Sequence, residues 1–120
     1  MKLTKMIAIG AGIGLSMSAF ATDPIVGNWK MSEKGEAKAI ITISESNGEF
    51  FGKMTKGLTE KAKKTEGQQI LFNIKSLGDG KYKGKGKHPT LGVKGTVNIT
   101  INGNNIAIKS ITGTQTGVKQ

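Results

Sequence analysis

The chain has 120 residues, with 18 lysines and no arginine, 8 acids and one histidine, giving a formal charge of +10. It holds no cysteine, so neither a disulfide nor a thiolate metal site is open to it. Eighteen glycines, two prolines and short β-branched apolar runs predict a single domain of strands joined by tight turns.

Residues 1–21 read as a leader. Lys2 and Lys5 make a positive start, Met6 to Phe20 is apolar and small, and Ala19 and Ala21 fill the small positions before a cleavage site. The apolar run is shorter than the roughly 20 residues of a spanning helix. Cleavage after Ala21 predicts an exported, periplasmic chain over 22–120, with no transmembrane span and no lipid-anchoring thiol. Loss of Lys2 and Lys5 lowers the charge from +10 to +8.

The first expected strand is "IVGNWKM" (25–31). "AKAIITIS" (37–44) then runs through "ESNG" into "EFFGKMT" (49–55), and Asn47-Gly48 is a strong hairpin signal. The charged stretch "KGLTEKAKKTEGQ" (56–68) lacks an apolar stripe, which predicts an exposed helical turn or a loop outside the core. "QILFNIK" (69–75) leads through "SLGDG" into "KYKGKGKH" (81–88). "VKGTVNITI" (93–101), "NIAIK" (105–109) and "ITGTQTGV" (111–118) complete eight candidate strands.

Their faces define the architecture. Val93, Gly95, Val97, Ile99 and Ile101 share one side of a strand, while Lys94, Thr96, Asn98 and Thr100 share the other. Sequential hairpins of this kind close most simply as an all-β, eight-stranded antiparallel up-and-down barrel, which removes exposed edges. An outer-membrane barrel needs an apolar outer belt, whereas Lys81, Lys83, Lys85, Lys94 and Asn98 point outward here.

Alternation also sets the meaning of the lysine comb. Lys81, Lys83, Lys85 and Lys87 take one side and must face water, because burying unpaired ammonium groups costs several kcal/mol each. Tyr82 then faces in. Two uses fit the lysines: a guard against edge aggregation, or an anion-binding surface of Lys81, Lys83, Lys85 and Lys94, widened by Lys75 and Lys109 on neighbouring strands. Acidic envelope polymers or anionic lipids are the anions expected. Nucleic acid is not, since arginine is absent and aromatics for stacking are few.

No metal site, catalytic set or cofactor motif emerges. His88 is the only histidine, and no acid lies within five residues of it. The acids fall mainly in turns and strand ends, unlike a buried catalytic pair. Trp29, the only tryptophan, fits either a plug closing one barrel end or a ring lining a pocket shared with Tyr82 and Gln115.

The strings "DPIVGNWK" (23–30), "AKAIITISESNGEFFGKM" (37–54) and "TGTQTG" (112–117) resemble the domain of unknown function 2147 family of small exported bacterial proteins. That resemblance implies export and a barrel fold but no defined activity. The chain differs from the family pattern in lacking its cysteine pair and in having Gly117 where a second tryptophan falls. Gly27-x-Trp29 followed by "NGEFFGKM" is more distantly similar to avidin- and lipocalin-type barrels, which bind small molecules at the barrel mouth. Met54 and Lys56 stand where avidins place a tyrosine and a threonine, so the likeness does not extend to biotin.

The leading expectation is a non-catalytic periplasmic protein that binds a small apolar or amphipathic ligand near Trp29, Tyr82 and Gln115, with Phe50 and Met54 on the pocket wall. Two alternatives stand beside it: an envelope-surface protein using the lysine face, and a hydrolase-type enzyme using His88.

Overall fold

The computed structural model describes residues 23–89 and 91–120; the leader expected over 1–21 lies outside the described residues. Eight strands follow in chain order: β1 (Gly27–Glu33), β2 (Glu36–Ser46), β3 (Glu49–Gly57), β4 (Gln69–Gly78), β5 (Lys81–Lys87), β6 (Lys94–Asn102), β7 (Asn105–Ser110) and β8 (Gly113–Lys119). Each pairs antiparallel with its sequence neighbours, and β1 pairs with β8 to close the barrel. The expected up-and-down barrel is the fold.

The turns explain why neighbours pair. Asn47-Gly48 and Asp79-Gly80 both have positive φ at each central position, the twist that suits a two-residue hairpin. Lys34-Gly35 does the same without the usual asparagine or aspartate, at φ 51° and 83°. These links leave the sheet no slack, so the alternation of side chains carries from strand to strand.

Inward positions form a continuous core that includes Trp29, Met31, Ile41, Ile43, Phe50, Met54, Ile74, Tyr82, Ile99 and Ile106. Outward positions of β5 and β6 are lysine, threonine and asparagine, the reverse of a spanning barrel's apolar belt. Among the described residues no helix is long and apolar enough to cross a membrane. Glycines on the comb's inner side admit large neighbours: a Cβ on Gly84 would sit 2.6 Å from Ile74 Cδ1, and one on Gly86 2.5 Å from Val97 Cγ1. The barrel wall is therefore filled at β5 rather than hollow.

Two features depart from the sequence expectation. Within 56–68 a single helical turn, α1 (Glu60–Lys63), is capped by Thr59, whose hydroxyl accepts from the Ala62 N–H at 3.1 Å. Its Ala62 joins the core and Thr65 is buried, so the segment packs onto the barrel rather than standing clear of it. Spacing at i, i+3 supplies that small inward stripe. Val93, expected on the dry face of β6, precedes the strand and is exposed.

Candidate functional site

The two ends of the barrel differ. At one, the segment Asp23–Val26 crosses beneath the sheet. The Ile25 side chain is fully buried there, its carbonyl accepting the Trp29 indole N–H at 2.9 Å. Tyr82 donates its hydroxyl to Asp23 Oδ1, which also accepts the Ile25 N–H at 3.1 Å. Phe50 meets Tyr82 edge to face, with centroids 5.7 Å apart. Lys119 Nζ bonds the Pro24 carbonyl at 3.0 Å and stands 5.3 Å above the Trp29 ring. Together these bonds hold the segment across the end and seal it.

The opposite end is open. A cavity of about 340 Å³ enters between β1–β3, α1 and the β5–β6 loop. That volume lies at the lower end of the range for small-molecule sites, roughly 300–1,000 Å³. Met31, Ile41, Met54, Ile70 and Ile108 line its apolar depth, and Glu33, Lys38, Lys61, His88 and Gln115 its polar margin. A smaller hollow of about 70 Å³ adjoins it across Glu33, Ile70, His88, Ile108 and Gln115. Thr65 donates to the Ala62 carbonyl at 2.8 Å and lies 3.3 Å from Met54 Sδ, which fixes the α1 segment over the Met54 side of the mouth.

The expected pocket residues thus divide. Met54 and Gln115 line the mouth. Trp29, Phe50 and Tyr82 are buried in the sealed end, away from the residues that line the mouth. Met31, Ile41, Ile70 and Ile108 line the mouth as well, and Met31, two positions after Trp29, shares its face.

His88 stands half-buried on the mouth's margin. Its Nδ1 accepts the Leu91 N–H at 3.2 Å. The comb lysines Lys81, Lys83 and Lys85, with Lys94, all lie on the outer surface. Among the described residues no cluster of histidine, cysteine and acids could hold a metal ion.

Fold and site together define a small closed β-barrel, sealed at one end and open to an apolar hollow at the other. No family model, curated protein or solved structure matches the chain.

Proposed function

We propose that this is an exported, non-catalytic binding protein that takes a small apolar or amphipathic molecule into the open mouth. The cavity carries this assignment: a ligand's apolar portion would lie on Met31, Ile41, Met54, Ile70 and Ile108, with a polar end among Lys38, His88 and Gln115. Two flexible methionines suit a hollow that adapts to its occupant. Export is supported by the leader pattern of 1–21, and kinship with the domain of unknown function 2147 family by the motifs quoted above.

A neutral anilinonaphthalene dye tests the site. It should brighten on the wild-type protein, and saturation at about a hundred times its dissociation constant should add about 2.7 kcal/mol of stability. Gln115→Trp, which fills the mouth from a half-buried position, should abolish both effects while leaving the fold intact. Undiminished dye binding by that variant would remove the mouth as the site.

A further inference from the structure

The barrel's charge is divided between its two sides. From β4 to the C-terminus (69–120) there are eight lysines against Asp79 alone, whereas 23–68 holds eight lysines against seven acids. The register joins the basic side into rows. Lys75 lies opposite Lys83, Lys83 opposite Asn98 and Asn98 opposite Lys109; nearer the mouth, Lys87 lies directly opposite Lys94. Like charges placed directly across a sheet are destabilising. Of these lysines only Lys75 has a carboxylate partner among the described residues, Glu49 at 3.4 Å.

At the mouth end of this wall the loops carry apolar tips. Leu91 in the β5–β6 loop is 64% exposed and Ile111 in the β7–β8 loop 78%, with Val93 beside them at 39%. Leu91 borders the large hollow, and Val93 and Ile111 the adjoining one. Across the mouth, the α1 segment adds exposed Lys61, Lys63 and Lys64. Glu33 borders both hollows and Glu60 lies 3.5 Å from Lys63, but the wall that bears the tips (69–120) holds Asp79 alone, at its sealed end. Apolar tips among its cations complement one kind of partner. It is a bilayer surface with anionic headgroups outside and hydrocarbon just below.

We infer that the lip formed by Leu91, Val93 and Ile111, flanked by Lys87 and Lys94, docks the barrel mouth-first onto an anionic lipid surface. The apolar tips enter the interface and the lysines rest on the headgroups. Lys85 stands next along the comb, and Lys81, at the sealed end, lies farthest from the contact. An acidic polymer, by contrast, would engage the whole comb and gain nothing from the tips. Docking stands whether or not the mouth holds a ligand, since none of the three apolar tips is a core residue.

Flotation with vesicles of equal parts phosphatidylcholine and phosphatidylglycerol tests this. The mature protein should partition onto them, release in high salt, and bind phosphatidylcholine vesicles far less. Lys87→Gln and Lys94→Gln should each weaken partitioning about fivefold, and Lys81→Gln much less. Leu91→Ser with Ile111→Ser should weaken it about tenfold per side chain. Lys81, Lys94, Leu91 and Ile111 are exposed and Lys87 half-buried, and unchanged thermal melts confirm folding. Failure to bind the anionic vesicles overturns the inference. So does a Leu91→Ser, Ile111→Ser variant that binds as well as wild type, or soluble polyglutamate that binds through Lys81, Lys83 and Lys85 alike. Dye binding in the mouth is measured separately, so the two proposals fail independently.

Discussion

Tyr82 and Asp23 meet beneath the barrel although 59 positions separate them. Burial is the largest cause raising the phenol above its ordinary value near 10; the hydrogen bond to Asp23 and that carboxylate's charge add to it. The native state therefore keeps this proton at a pH where the unfolded chain has lost it. Stability is fully present below about pH 10 and falls as pH rises beyond it. Tyr82→Phe should cost about 2 kcal/mol at neutral pH, because the carboxylate loses its phenolic donor. It should also flatten the alkaline decline in urea midpoint relative to wild type. Equal alkaline slopes in the two proteins would show that another group sets the decline. Inward placement of Tyr82, Trp29, Phe50 and Met54 was legible from alternation alone. The Asp23 contact was not, because closure of the whole barrel creates it and no local pattern encodes it.

At the scale of elements, the α1 segment decides how open the mouth is. Gly57 makes its approach possible: a Cβ there would stand 2.3 Å from the Lys63 backbone nitrogen and 2.4 Å from the Ala62 carbonyl carbon. Its N–H also donates to Glu66 Oε2 at 2.8 Å, tying both ends of the segment to the end of β3. Gly57→Ala should push the segment outward at a cost of about 2 kcal/mol. Amide exchange across 59–67 should then accelerate while the sealed end stays protected. Unchanged exchange there would mean that the segment has another anchor. The strands and hairpins were readable because apolar alternation and Asn-Gly or Asp-Gly turns act over a few residues. The α1 contact was hidden because Ala62 and Thr65 are small and lie among lysines. The β4 bulge around Asn73 was hidden too. Its φ of 50° goes with a side-chain bond to Glu49 at 3.0 Å, which becomes available only once β3 and β4 pair.

For the whole molecule, the order of hairpins was enough to give the barrel, but not to say which end is sealed. Strand patterns treat the two ends alike. The difference comes from where Asp23–Val26 and the Asp23–Tyr82, Trp29–Ile25 and Lys119–Pro24 bonds fall. One further property follows from the pairing of β1 with β8. The Gln120 N–H reaches the Asn28 carbonyl at 2.9 Å, so the residue that follows β8 returns to β1. Strand order around the sheet is cyclic, and the point at which synthesis starts is arbitrary as far as the native contacts are concerned. A circular permutant, with a short Gly-Ser link from Gln120 to Asp23 and new ends at the exposed Lys34-Gly35 turn, keeps every strand beside its present neighbours. It should fold and melt within a few degrees of the parent by circular dichroism. A permutant that aggregates instead would show that the β1–β2 hairpin must form early, so that assembly has a direction even where the finished ring has none.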